Sequence, residues 1–157
     1  LQMLARKFGG GPDQVLAMTE QVRELGAELG LEMDHSTSIS VDTGLAHQAI
    51  HVARRTGHDV ELVRRLHRAH FTDGADLSDR AVLVHAAGDV GVDEHAVEAA
   101  LDTGAYAQDV LADRQEAERI GVRGVPFFVF EKRFALSGAQ PVEAMVMAIE
   151  RALTPAA

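Results

Sequence analysis

Two pairs of histidines at helical spacing are residues of this sequence that could bind a metal ion. His47 and His51 lie four positions apart, and His67 and His70 lie three apart, so each pair could share one face of a helix. Imidazole is a common zinc ligand. However, no acidic residue completes a known metal-binding spacing, and arginines surround the pairs. The sequence therefore favours solvated or core-edge histidines and predicts no metal site.

The surrounding arginines form one basic cluster in a chain whose formal net charge is −9. An anion such as a carboxylate could bind there, because guanidinium groups pair well with carboxylates. Charges of this kind more often form a solvated surface, and both interpretations stay open. The members of the cluster are Arg54, Arg55, Arg64, Arg65 and Arg68.

The chain carries no convincing nucleophile or phosphate loop. It has no cysteine, which excludes a thiol nucleophile, a disulfide and cysteine-bound zinc within these 157 residues. Ser137 lacks the Gly-x-Ser-x-Gly surroundings of a hydrolase serine. The glycines at 9–11 lack both the preceding strand and the following lysine of a phosphate-binding loop. We therefore predict no catalytic residue and no cofactor in this chain.

The composition is that of a globular domain, with 46% hydrophobic and 25% charged residues. No apolar run approaches the ~20 residues that a membrane helix needs, so no membrane partner is expected. The negative charge disfavours nucleic acid as a partner. No secretory signal is visible, and we expect a cytoplasmic protein.

The segment at 121–130 organises the rest of the chain. Pro126 has a fixed φ and no N–H, so Val125 should be extended and Pro126 should open a strand. Four apolar residues at 127–130 follow without polar alternation, a pattern typical of a strand that is covered on both faces. A polar turn and a second apolar run at 134–137 complete a predicted antiparallel hairpin. Because four of the six phenylalanines lie in this hairpin, we expect the aromatic core there.

Short helices with brief connections are predicted before the hairpin, and one helix is predicted after it. Asp79 or Ser78 should cap one of them, Asp93 another, and Pro141 should open the last. The helix around 81–84 is apolar on nearly every side and should be central. Apolar stripes are expected on the first and third helices, at Val15, Met18, Val22, Leu25 and Leu29, and at Val60, Val63, Leu66 and Ala69.

Two motifs at this spacing resemble the DsbA-like thiol-disulfide oxidoreductases of the FrnE branch. They are Gly121-Val-Arg-Gly-Val-Pro-Phe-Phe-Val129 and Ser137-Gly-Ala-Gln-Pro141. The resemblance implies an α/β thioredoxin-like fold with a helical insertion, so this chain should be mostly α-helical with one C-terminal β-hairpin. Looser matches at 42–47 and 68–74 extend the resemblance along the chain.

The resemblance also implies a division of the chain. Residues 1–42 would form a linker helix after a missing first thioredoxin half, residues 43–104 a helical insertion, and residues 105–157 the second thioredoxin half. The family's first strand and its Cys-x-x-Cys helix have no counterpart in this sequence. We therefore expect this chain to be a portion of an oxidoreductase that is inactive alone.

A substrate-binding role for Gly124, Val125 and Pro126 follows from the same resemblance. In the family, the cysteine thiolate reacts through a mixed disulfide. The Val125–Pro126 bond would be cis, and the Val125 N–H and C=O would pair with an extended substrate chain. The implied substrates are thiols or disulfides of proteins or small molecules.

Two other functions remain open at this point. One is a glutathione-dependent isomerase or transferase, similar to the 2-hydroxychromene-2-carboxylate isomerases and the kappa-class transferases, which use a serine in place of the first cysteine. The other is a non-catalytic thioredoxin-like module that binds a peptide or dimerises. The expected protein partners are a second copy of this chain or the missing N-terminal portion.

Overall fold

The computed structural model describes residues 11–34 and 40–154. Among these residues the order of elements is seven helices with one hairpin before the last helix, which confirms the predicted mostly α-helical chain with a C-terminal hairpin. The helices are α1 (Pro12–Glu28), α2 (Gly44–Arg54), α3 (Asp59–Phe71), α4 (Arg80–Asp89), α5 (Glu94–Thr103), α6 (Ala107–Arg119) and α7 (Val142–Leu153). The strands are β1 (Phe127–Phe130) and β2 (Phe134–Ser137). Most of the glycine triplet lies outside the described residues.

Local signals in the sequence set the helix ends. The Asp79 side chain accepts a hydrogen bond from the Ala81 N–H at the start of α4, and Asp93 does the same for the His95 N–H at the start of α5. Gly104 ends α5 in the left-handed conformation, with φ of 64°, which glycine adopts without steric cost. Both predicted aspartate caps are confirmed.

The chain divides into two compact units after Val110, within α6. We call residues 11–34 and 40–110 the helical unit, and residues 111–154 the hairpin unit. In the helical unit, α4 packs against α2, α3 and α5, which confirms its predicted central place. The largest fully buried side chains of this unit are Leu62, Leu83 and Val97. Buried alanines on α2, α3, α4 and α5 surround them and let the helix backbones approach closely.

The hairpin unit contains a two-stranded antiparallel sheet in which Phe127 pairs with Ser137 and Phe130 with Phe134. The rings of Phe130 and Phe134 stack 5.4 Å apart, and the Arg151 guanidinium of α7 lies 5.3 Å from the centre of the Phe134 ring. Helix α7 contacts β1. Ala148 is the one buried apolar residue among the described residues of this unit.

Two packing predictions for the hairpin are wrong. Phe128 and Val129 are exposed, so β1 is not covered on both faces by the described residues. The main core lies in the helical unit and is aliphatic, whereas the hairpin phenylalanines are half-buried or exposed. The physical reason is that a two-stranded sheet with one helix beside it offers too few neighbours to bury four aromatic rings.

The predicted apolar stripes on α1 and α3 also need correction. On α1, Val15 is buried, but the other stripe members are exposed, because no described helix or strand packs closely along that face. On α3, the side chains that face the core are Leu62, Leu66 and Ala69, while Val60 is 53% exposed. Leu66 and Ala69 of the predicted stripe are therefore confirmed as core residues, whereas Val60 is wrong and Leu62 was not predicted. No helix among the described residues is long and apolar enough to cross a membrane.

Candidate functional site

The loop that leads into β1 begins where α6 ends. The Gly121 N–H donates to the Glu118 carbonyl, and the Val122 N–H donates to the Ala117 carbonyl, so the last turn of α6 is closed by backbone hydrogen bonds. Gly121 has φ of 84°, a left-handed conformation that strains any residue with a Cβ. The loop therefore leaves the helix in a direction that this glycine permits.

The three residues predicted to bind substrate lie together at the exposed end of this loop. Gly124, Val125 and Pro126 are all exposed, and the Val125 side chain is 89% exposed. The Val125–Pro126 peptide bond is cis, the isomer that the resemblance implies. The Pro126 carbonyl accepts a hydrogen bond of 2.8 Å from the Gly138 N–H. That bond fixes the loop to the far end of β2.

The backbone of Val125 is available for a hydrogen-bonding partner. Within the described residues, neither its N–H nor its carbonyl has a backbone partner. Nearby, the Gln140 side chain donates to the Ser137 carbonyl at 2.8 Å, and this contact holds the chain after β2. Pro141, which was predicted to open the last helix, occupies the N-cap position of α7.

The outer edge of β1, which follows Val125 and Pro126 in the chain, also has backbone groups that do not pair with β2. Since Pro126 and Gly138 form a hydrogen-bonded pair, alternation along an antiparallel ladder gives the same role to Phe128 with Leu136 and to Phe130 with Phe134. The N–H and C=O groups of Phe127 and Val129 then point away from β2. In the described part of the chain the sheet has two strands, so this edge has no neighbouring strand.

Charged groups of the hairpin unit form surface pairs. Arg119 donates two hydrogen bonds of 2.7 Å to the Glu116 carboxylate, and this side-chain hydrogen bonding lowers the pKa of Glu116. The Lys132 charge acts in the same direction. The Arg133 guanidinium donates to the Thr154 carbonyl at 3.0 Å. Such exposed pairs order the surface but supply no acid or base to the loop.

The structure brings no catalytic group to Ser137. Its carbonyl accepts from Gln140, and within the described residues its hydroxyl has no hydrogen-bonded base. The cysteine count is zero. Thiol chemistry therefore requires a thiol from outside this sequence.

The histidine pairs lie on the predicted helices, where three of the four rings contact aromatic side chains. The His51 ring stacks on the Tyr106 ring at 5.9 Å, and both His67 and His70 contact the Phe71 ring edge to face. The described residues contain no group of three histidine, cysteine or acidic side chains that could hold a metal.

The basic cluster is divided by the fold. Arg54 pairs with Asp59, and Arg65 pairs with Asp89 at 2.8 Å and lies 3.7 Å from Asp73. Arg55 donates to the Tyr106 hydroxyl, which raises the pKa of Arg55. The remaining members, Arg64 and Arg68, line a cavity on α3. That cavity was not predicted, because it depends on which segments lie beside each other.

Comparison with known proteins agrees with this arrangement of helices, proline loop and hairpin. A crystal structure of a probable DsbA oxidoreductase from Streptomyces coelicolor is 32% identical and superposes with a TM-score of 0.90, covering 99% of this chain and 68% of that chain. A proposed protein disulfide isomerase from Nitrosomonas europaea is 17% identical with a TM-score of 0.73, covering 90% of this chain and 74% of that one, and shows a shared fold. No curated protein matches the sequence. The family model described as the DsbA-like thioredoxin domain matches residues 3–150, and this chain therefore belongs to the DsbA-like thioredoxin domain family.

Proposed function

We propose that this chain supplies the substrate-binding loop of a thiol-disulfide oxidoreductase of the FrnE branch. The observation that carries the proposal is the exposed Val125, whose backbone N–H and carbonyl are free beside an open strand edge. Membership of the DsbA-like family supports it. The substrates are thiols or disulfides of proteins or small molecules, and Gly124, Val125 and Pro126 bind them.

The free backbone groups suit an extended substrate. A peptide lying antiparallel to the loop could accept a hydrogen bond from the Val125 N–H and donate one to its carbonyl, as in strand addition. Backbone pairing of this kind does not depend on the substrate's side chains. The exposed Val125 side chain then adds one apolar contact, so the loop would bind many sequences and would not select among them by charge.

The redox-active thiols come, in this proposal, from a segment outside this sequence, because the chain has no cysteine. A thiolate of that segment attacks a substrate disulfide. One S–S bond breaks, a mixed disulfide forms, and the substrate's other sulfur leaves as a thiolate. The second cysteine then attacks the mixed disulfide, which releases the reduced substrate and leaves the enzyme disulfide. The loop takes no part in electron transfer and only positions the substrate chain.

The outer edge of β1 is the place where we propose that the cysteine-bearing segment pairs. Exposed apolar strand edges promote aggregation unless another strand covers them. Phe128, Val129 and the exposed side chains of α7 supply the apolar area that such a segment would bury. In the same proposal residues 1–42 are a linker, residues 43–104 form the helical insertion and residues 105–157 form the second thioredoxin half.

A reduction assay with insulin as the disulfide substrate tests this function. This chain alone should show no turnover, whereas the polypeptide encoded by the complete natural gene should reduce insulin and lose activity after alkylation of its thiols. Turnover by this chain alone would refute the proposal. So would an inactive natural polypeptide that contains no cysteine.

A second candidate is a non-catalytic module that pairs a peptide or a second copy of this chain at the β1 edge. The specific observation in its favour is the apolar stripe of α7, where Val142, Val146, Ile149 and Leu153 recur at helical spacing and are all exposed. Analytical ultracentrifugation distinguishes a module that pairs with a peptide from one that pairs with a second copy of this chain. A monomer at all concentrations, with a cooperative thermal transition, would exclude the dimer.

A further inference from the structure

A cavity of about 810 Å³ lies in the helical unit, beside the C-terminal half of α3. This volume lies within the range of roughly 300–1,000 Å³ that small-molecule sites usually have. One wall is α3, with Arg64, His67, Arg68 and Phe71. The other wall is the short segment at residues 30–33, which follows α1.

Both walls of the cavity are fixed by hydrogen bonds and helical geometry. The four residues of α3 are spaced i, i+3, i+4 and i+7, so they share one face of the helix. The Asp34 N–H donates to the Phe71 carbonyl at 2.7 Å, and the Thr72 hydroxyl donates to the Glu32 carbonyl. The segment is thus tied to the C-terminal end of α3 at two points.

The two arginines of this wall differ from the other described arginines of the helical unit in having no side-chain partner. Within the described residues, neither the Arg64 nor the Arg68 guanidinium has a hydrogen-bond or ion-pair partner, and the Glu32 carboxylate forms no ion pair with either. Each of the other described arginines of the unit has a side-chain partner: Arg23, Arg54, Arg55, Arg65 and Arg80. In a chain of net charge −9, two free guanidinium groups on one cavity wall favour an anionic ligand.

Beside the arginines, Glu32 and His67, the cavity is lined by the apolar side chains of Leu31, Met33 and Phe71. Leu31 is 54% exposed and Met33 is half-buried, so both present apolar surface to the cavity, which the half-buried Phe71 ring also lines. A simple inorganic anion would not use that surface, and a hydrocarbon would not use the arginines. We propose that this cavity binds a small organic carboxylate with an apolar tail. The carboxylate pairs with Arg64 and Arg68, and the tail packs against Leu31 and Phe71.

Isothermal titration with octanoate tests the proposal, with acetate and octanol as the comparison probes. Octanoate should bind with a submillimolar Kd. Acetate lacks the tail and octanol lacks the charge, so each should bind at least about tenfold more weakly. Equal binding of acetate would indicate a simple anion site, and equal binding of octanol would indicate a purely apolar cavity. Either result would overturn the proposal, as would the absence of octanoate binding.

Variants locate the site. The double variant Arg64→Gln/Arg68→Gln should weaken octanoate binding at least about tenfold, because it removes both charge-assisted contacts. The control Arg54→Gln/Arg55→Gln removes the same charge from α2 and its C-cap, outside the cavity, and should leave the Kd unchanged. Equal losses in the two variants would show non-specific attraction and contradict the proposal.

The apolar end of the cavity has its own test. Leu31→Ser should weaken octanoate binding about fivefold and leave the fold intact, because this side chain is largely exposed. An unchanged octanoate Kd in this variant would contradict the proposed position of the tail. The lining of the cavity does not include the proline loop. The octanoate measurements and the insulin assay therefore test separate proposals.

Discussion

Single buried side chains of the helical unit carry much of its stability. Leu62 is fully buried, and it touches a core built mainly from alanine, valine and leucine. Truncation there leaves a cavity that small neighbours cannot fill. Leu62→Ala should therefore lower the free energy of unfolding by about 3 kcal/mol, measured by urea denaturation.

Val60 provides the matched control for that change, because it lies on the same helix but is exposed. Val60→Ala should change the free energy of unfolding by less than about 0.5 kcal/mol. Similar losses in the two variants would show that the assigned face of α3 is wrong.

The Asp89 carboxylate gives the helical unit a pH dependence. The hydrogen bond from Arg65 lowers the pKa of Asp89, and the nearby His85 charge adds to that effect. A lowered pKa in the folded state stabilises the fold above the unfolded-state pKa of about 4. That stabilisation is lost as the pH falls through the lower, folded-state pKa.

Asp89→Asn should therefore reduce the free energy of unfolding at pH 7, and the gap to the unmodified protein should close below about pH 4. Urea denaturation at a series of pH values measures it. The same substitution in an Arg65→Gln background should give a smaller gap. A gap that stays constant from pH 7 to pH 2 would contradict this assignment.

Helix caps are the features of individual elements that local sequence specifies best. Asp79 accepts a hydrogen bond from the Ala81 N–H, whereas Thr43 stands at the N-cap of α2 without a side-chain cap bond. Asp79→Ala should lower the free energy of unfolding by about 1 kcal/mol. Thr43→Ala is the control, and thermal denaturation should show a clearly smaller change. Equal effects would mean that the cap bond contributes nothing.

Because one edge of β1 is open, we expect its amides to differ in their rates of hydrogen exchange. The Phe127 and Val129 amides point away from β2, and the Phe128 and Phe130 amides point toward it. Hydrogen exchange followed by NMR on this chain should be at least about tenfold faster at the first two positions. If the proposed cysteine-bearing segment pairs at this edge, its presence should slow exchange at both positions. Equal exchange along β1 in this chain would contradict the open edge.

Signals within a few residues of the sequence predict the helices and strands well, but they predict the packing between these elements poorly. The hairpin bounds follow from Pro126 and the polar turn, and the caps follow from Asp79 and Asp93, since these signals act over a few residues. The buried face of α3 and the exposure of Phe128 depend on distant segments. A stripe or an apolar run shows that a surface can be buried, but not which segment covers it.

Among the described residues, the core is concentrated in the helical unit. All members of the main core cluster lie between Ala46 and Leu101, while the hairpin unit buries Ala148 alone among its described apolar residues. The hairpin unit also holds the proposed substrate-binding loop. The position of that loop could be predicted from the motif around Pro126. Which backbone groups of β1 stay unpaired could not be predicted, because that depends on the register between the two strands.

We propose that this chain presents substrate to thiols carried by another segment of the same enzyme. The most direct measurement is the intact mass of the natural protein from its own source, before and after reduction and alkylation. With the proposed function, we expect a polypeptide longer than 157 residues with two thiols that become alkylated only after reduction. A natural polypeptide of these 157 residues, with no alkylated thiol, would contradict it.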